Sequence, residues 1–373
     1  DTIFGGNGAD TIFGGEGNDV IVAGGQENAD GVDTVFGGAG DDTITGGFFV
    51  DILNGEAGND RFIYNSVSGP GPVATDFLDT IDGGDDIDTI DLSGVAANIL
   101  GYTVNLQNET ASAFVNGFGG PQSITNVENI VGSQGNDILT GDGEDNLIEG
   151  GAGADTLDDG AGLNDTLSYE SSPEGPMPGT FPPIPKGVVV DLAGGAAAVD
   201  QAKLVGTHAE GDTYVNFENV IGSAFGDTIT GVAGEVNRIE GRDGIDTLFG
   251  QGEDQIFGGA GGDALSISLS GAATGTFDGG GDGGDNLALM LSQSSDLRGA
   301  TVTGFQGFNI GFGGNSVQLL AAQLPTQQLV LDGTGGVGSA DIPLDTQTNF
   351  DLSSLQIVTF APGTGTIVSL IGH

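Results

Sequence analysis

Cysteine and tryptophan are absent from this 373-residue chain, which also has only two histidines and six lysines plus arginines. Without cysteine there is no disulfide, no thiolate metal site and no thiol nucleophile. His208 and His373 cannot form a His-Glu-x-x-His zinc motif, and no Gly-x-Ser-x-Gly elbow occurs. His208 is expected to be a solvated loop residue. The scarcity of basic residues against 53 acidic ones leaves a formal charge of −47, which excludes nucleic acid as a partner because phosphate contacts need Lys and Arg. No apolar run reaches the roughly 18–20 residues that a membrane span needs. No enzyme is expected. The pairs Asp85-Asp86 and Asp158-Asp159 could in principle serve glycoside hydrolysis, but they lie in or beside the turns described next, where ligand or outer-shell roles suit them better.

What fills the chain is glycine, 73 residues, and aspartate, 39 against 14 glutamates. A bland acidic surface would favour glutamate; the bias to aspartate fits short carboxylates at fixed turn positions. Those positions recur every nine residues, as Gly-Gly-x-Gly-x-Asp-x-apolar-x. Unbroken copies begin at Gly5, Gly14, Gly37, Gly150, Gly258 and Gly280, and copies with one or two departures at Gly46, Gly55, Gly83, Gly132, Gly222 and Gly241. Glycines at positions one, two and four permit positive φ and close backbone approach, so the first six residues form a turn that aims carbonyl oxygens at a shared point. The position-six aspartate adds a carboxylate there. Such an all-oxygen cage suits Ca²⁺. The last three residues run extended with the position-eight residue inward, as Ile12, Ile21, Ile44, Leu157 and Leu265 would be.

The nonapeptides resemble the RTX family of exported bacterial calcium-binding proteins, most closely its long surface-layer, filament or adhesin members. The resemblance implies an all-β fold, a parallel β-roll in which two nonapeptides make one coil and calcium sits between turns two repeats apart on one edge. On that basis Asp19, Asp42 and Asp60 share one edge and Asp10, Asp33 and Asp51 the other. In the second block Asp137 and Asp155 line one edge, with Asn146 and then Asp165 opposite; Asn146 weakens that site. In the third, Asp227, Asp246 and Asp263 face Asn237 and Asp254, and Asp285 belongs to a separate copy further on. Asp88 belongs to the degenerate copy at Gly83. The turn glycines Gly6, Gly8, Gly15, Gly17, Gly38, Gly40, Gly151, Gly153, Gly259 and Gly261 would supply carbonyls. Departures put some sites in question: Phe49, Glu56 and Asp86 each replace a turn glycine, 23–33 carries extra residues, and 250–257 is one residue short.

Composition and spacing divide the chain into roll blocks at 1–65, 132–168 and 222–297, β-rich insertions at 66–131 and 169–221, and a strand-rich C-terminal region at 298–373 that caps the solenoid or mediates assembly. Val127-Glu128-Asn129-Ile130-Val131-Gly132-Ser133 returns as Phe217-Glu218-Asn219-Val220-Ile221-Gly222-Ser223, so the longer unit is about 90 residues, and the Glu-Asn pair reads as a strand junction where the roll restarts. Loops are expected at 66–77 and, with six prolines, at 171–186. The chain opens inside the tail of a repeat, which predicts a trimmed N-terminus.

Calcium-dependent folding places the protein outside the cell, because such repeats would be metal-free in a cytosol and loaded at extracellular calcium. The expected function is an extracellular structural protein of a bacterial surface, self-associating as a lattice or filament, with a cell-surface glycan as a further candidate partner. The alternative is the calcium-folding and type I export portion of a larger RTX enzyme, toxin or adhesin.

Overall fold

An extended run that sends one large apolar residue inward between two outward neighbours fixes a strand of only a few residues, and the chain is built of such strands. The structure is a computed structural model that describes residues 1–373 apart from 25–30, 48, 66–78, 96–100, 114–121, 174, 177–184, 193–207, 210, 282–283, 312–315, 319–327, 333–338, 345–355, 359–366 and 373. The loop expected at 66–77 and most of that at 171–186 therefore lie outside the described residues. Among the described residues there is no α-helix, and no helix is long and apolar enough to cross a membrane. The fold is a parallel β-solenoid, as expected for a β-roll.

The first strands are β1 (Thr2–Gly6), β2 (Thr11–Glu16), β3 (Val20–Gly24), β4 (Thr34–Ala39), β5 (Thr43–Thr45), β6 (Ile52–Ala57), β7 (Arg61–Asn65), β8 (Thr80–Asp85) and β9 (Thr89–Gly94). Each pairs in parallel with the strand two places on: Ile3 lies opposite Ile21 and Ile12 opposite Val35. One coil therefore holds two nonapeptides, and odd and even strands form two separate sheets.

The chain forms two compact units, one of Asp1–Tyr169 with His208–Phe217, the other of Glu170–Gly194 with Glu218–His373. In the first, the odd sheet continues from β9 through Asn129–Val131, Leu147–Glu149 and Thr166–Ser168. The even sheet passes from β8 through an antiparallel excursion, Gln122–Thr125, Thr110–Ala113 and Tyr102–Asn105, before Ile138–Thr140, Thr156–Asp158 and Thr213–Val215 resume the parallel order. The strands of this insertion thus belong to the same sheet as the roll. In the second unit, parallel stacking runs on into the C-terminal region, where Gly307–Gly311, Gln328–Asp332 and Gln356–Val358 pair in succession, as do Ser316–Gln318, Ser339–Leu344 and Ile367–Gly372.

The core is a column of position-eight side chains. Val35, Ile44, Phe62, Ile90, Ile130, Leu139, Ile229, Leu248 and Leu287 are fully buried, and in register Ile21, Ile44, Phe62, Ile90, Ile130, Ile148 and Leu167 stack one above another. Each contributes about 2 kcal/mol of apolar burial. One such residue per nine is a thin core for a chain so rich in glycine, so the coils need a further source of cohesion.

Candidate metal sites

That source lies at the turns. The position-six aspartate ends the turn just before the strand, so parallel stacking puts aspartates of successive coils above one another. In each, Oδ1 accepts the backbone N–H of the aspartate one coil away. Asp10 N–H donates to Asp33 at 2.7 Å, Asp33 to Asp51 at 2.7 Å and Asp51 to Asp79 at 2.8 Å. Along the other edge Asp19 donates to Asp42 at 2.8 Å, Asp42 to Asp60 at 2.8 Å, Asp60 to Asp88 at 2.7 Å and Asp88 to Glu128 Oε2 at 2.8 Å. Further ladders link Asp137, Asp155 and Asp212, and Asn146 with Asp165. In the second unit Asp227, Asp246, Asp263 and Asp285 form one ladder, and Asn237 and Asp254 another.

The edge groupings expected from the repeat agree with this placement, with one difference: Asp285 is no separate copy but the next rung after Asp263, 22 residues on. The sequence reading missed Asp79, Asp212 and Glu128. Asp79-Thr80-Ile81 and Asp212-Thr213-Tyr214 are tails of nonapeptides that lack turn glycines, and the Asp-Thr-apolar tripeptide was the signal available.

Oδ1 is thus used by the fold. The other oxygen, Oδ2, is buried and accepts no hydrogen bond in Asp10, Asp19, Asp42, Asp60, Asp88, Asp155 and Asp246. A bare carboxylate oxygen out of water costs several kcal/mol unless a cation neutralises it. Beside each such oxygen is a position-one glycine whose conformation is not left-handed. Its role is space. A Cβ on Gly14, Gly37, Gly55 or Gly241 would stand closer than 3.0 Å both to the Oδ2 of its own repeat and to a glycine carbonyl oxygen of the next coil. The cradle between carboxylate and carbonyl exists because nothing projects into it.

Positions two and four are the left-handed ones: Gly6, Gly8, Gly15, Gly17, Gly38, Gly40, Gly151, Gly153, Gly259 and Gly261 all have φ between 84° and 150°. The substituted turns keep this shape. Phe49, Glu56, Asp86 and Arg242 hold φ of 77–79°, so the aspartates of these degenerate copies, Asp51, Asp60, Asp88 and Asp246, stay on the ladders.

Burial and stacked like charges raise the carboxyl pKa values. Desolvation, with smaller repulsion from neighbouring carboxylates, pushes Asp60 up to about 6, Asp88 to about 7 and Asp246 to about 8 from an ordinary 3.8. Asp42 and Asp165 move the same way, again chiefly through burial. Asp155 and Asp212, adjacent rungs, are both raised by burial.

Not every expected ligand has a bare oxygen. Asp254 Oδ2 accepts Gln251 N–H at 2.6 Å, which tightens the turn that is one residue short, and Asp285 Oδ2 accepts Gly281 N–H at 3.2 Å. Asp137 and Asp227 have both oxygens engaged by a serine of their own turn. Two ladders end on buried tyrosines: Asp79 N–H donates to Tyr64 Oη at 3.0 Å, and Tyr169 Oη donates to Asp212 Oδ2 at 3.0 Å. His208 differs from expectation. It is largely buried, 4.0 Å from Glu149, and burial lowers its pKa.

Carboxylate and carbonyl oxygens with no thiolate or imidazole are the donors that Ca²⁺ selects. The chain matches the RTX calcium-binding nonapeptide repeat in four copies, over residues 1–29, 27–62, 126–157 and 233–265. This is an RTX-repeat protein. Its repeats bind several calcium ions, and RTX-repeat proteins are typically exported by bacteria. No curated protein sequence matches the chain. Within the RTX turns, Asp10, Asp19, Asp42, Asp60, Asp88, Asp155 and Asp246 are the carboxylates that would hold calcium, at Asp19, Asp42, Asp60 and Asp246 together with the carbonyl of a position-one glycine one coil away. Bound calcium supplies positive charge between coils whose carboxylates otherwise repel one another.

Proposed function

We propose that this RTX chain is a calcium-assembled structural component of the bacterial surface, without enzymatic activity, that folds after export and self-associates as a lattice or filament subunit. The observation that carries this reading is the aspartate ladder itself: calcium ligation and coil stacking use the two oxygens of the same carboxylate, so metal binding completes the scaffold. Net charge supports the coupling of metal to assembly. At −47 the bare chain repels its copies, and each bound calcium removes two charges. Parallel sheets also offer edges to a neighbouring copy, and a contact between unlike surfaces propagates rather than closes. Light scattering during a calcium titration tests this reading, with magnesium as the control because it holds its waters and demands octahedral geometry. Scattering that rises with calcium and not with magnesium supports assembly. A calcium-loaded protein that stays monomeric at high concentration moves the reading to the export portion of a larger RTX protein.

A further inference from the structure

Among the described turns, two are closed by a serine that engages both oxygens of its own aspartate. In the turn Gly132–Asp137, position two is Ser133, which is not left-handed, and its N–H turns inward onto Asp137 Oδ2 at 2.6 Å. Its hydroxyl lies 2.9 Å from Oδ1 and 3.0 Å from Oδ2 of the same aspartate. Tyr102 N–H supplies a further bond to Oδ1 at 2.6 Å. The turn Gly222–Asp227 repeats this arrangement 90 residues later. Ser223 N–H reaches Asp227 Oδ2 at 2.7 Å, its hydroxyl reaches Oδ1 at 2.8 Å, and Val188 N–H reaches Oδ1 at 2.6 Å. Neither aspartate keeps a bare oxygen, whereas Asp42, Asp60 and Asp246 do.

The next turn in each case carries an amide where the repeat has a carboxylate. Asn146 Nδ2 donates to Glu128 O at 2.9 Å, and Asn237 Nδ2 donates to Glu218 O at 2.9 Å. A donor N–H thus meets a backbone carbonyl of the Glu-Asn junction, and asparagine brings no charge to be neutralised. Asn129 and Asn219 complete the coil by accepting the N–H of Leu147 and Arg238, each at 2.9 Å.

We propose that these two Glu-Asn…Gly-Ser coils are metal-independent, with the serine hydroxyl and asparagine amide doing within the chain what calcium does elsewhere in the solenoid. Each of the second and third roll blocks then begins on a coil that is ordered before metal arrives. Because repeat proteins grow by adding units to a formed neighbour, such a coil sets the register onto which calcium-dependent coils stack. This rests on calcium being the ligand of the other turns, but it makes a separate statement: calcium is excluded at Asp137 and Asp227.

Hydrogen exchange with EDTA or saturating calcium, combined with metal counting by native mass spectrometry, tests it on the full chain. In EDTA, amides over 129–149 and 219–237 are expected to stay protected while those over 10–60 exchange. A variant carrying Ser133→Gly in the first turn and Ser223→Gly with Phe225→Gly in the second restores the consensus Gly-Gly-x-Gly-x-Asp in both; it should gain about two calcium ions, one per turn, and its junction protection should become calcium-dependent. Ser133→Ala/Ser223→Ala removes the hydroxyl without giving left-handed freedom, and should lose junction protection in EDTA with no gain in calcium. The proposal is overturned if wild-type junctions exchange together with 10–60 on chelation, or if the glycine variant binds no more calcium than wild type. Loss of protection over 10–60 in EDTA, with calcium restoring it, reports on the calcium reading independently.

Discussion

Within a single turn, three glycines that look equivalent in the sequence have different tasks. Position one needs the absence of a side chain but no left-handed backbone, whereas positions two and four need a left-handed backbone and, in stacked coils such as those of Gly38, Gly40, Gly151 and Gly259, the room as well. Gly37→Ala should therefore abolish one calcium site and cost about 2–3 kcal/mol of overpacking, because its Cβ would enter the cradle between Asp42 Oδ2 and the Gly55 carbonyl. Denaturant unfolding in saturating calcium, with metal counting, measures both effects. At position two the direction reverses. Exposed Glu56 holds φ of 77°, a conformation that costs a side-chain-bearing residue about 1–2 kcal/mol, so Glu56→Gly should raise stability by about 1 kcal/mol and keep the calcium count unchanged. The sequence made the glycine pattern plain but not this division, since spacing does not reveal which glycine lacks room and which needs its φ.

Across a strand and its turn, the unit of cohesion is the rung, and rungs titrate. Asp60, Asp88 and Asp246 have folded-state pKa values of about 6, 7 and 8, above the ordinary 3.8, so each favours the fold fully below about pH 4, where it is protonated in both states. That contribution is lost as pH rises through the folded values. In calcium-free buffer the β-structure should therefore be best retained near pH 4 and fall away towards pH 8. In saturating calcium the trend should reverse, because protons compete with the metal for the same carboxylates. Circular dichroism across this pH range in the two buffers checks the pair of slopes, and parallel slopes would contradict ligation by these groups. The strands and their inward residues were legible from the nine-residue period. Asp79 and Asp212 were not, because their turns lack the glycines by which copies are recognised, and only stacking identifies them as rungs. The serine-closed turns were hidden for the converse reason: Gly132–Asp137 differs from consensus at one residue, yet that residue occupies both carboxylate oxygens.

For the molecule as a whole, the charge of −47 is set against a core that gains little more than one inward residue from each nonapeptide of the roll. Chelation should expand the protein, raising its hydrodynamic radius and removing most of its β-spectrum, and excess magnesium should not restore either. Analytical ultracentrifugation and circular dichroism measure this directly, and an unchanged sedimentation coefficient in EDTA would mean that calcium is not structural. Legibility at this scale was uneven. The solenoid followed from the repeat, and its continuation into the C-terminal strands did not, because the acidic turns fade there while parallel pairing persists.

The rungs follow one another along the chain at intervals of 17, 18, 19, 22, 23, 28 and 57 residues, yet each makes the same bond. The fold thus counts returns rather than residues: any excursion is accepted if the chain comes back with an aspartate, an outward residue and an apolar one. In engineering terms the solenoid is a backplane with sockets. The stretch between Tyr64 and Asp79 is one of them, where a foreign folded domain could be grafted with the coils on either side keeping their alignment.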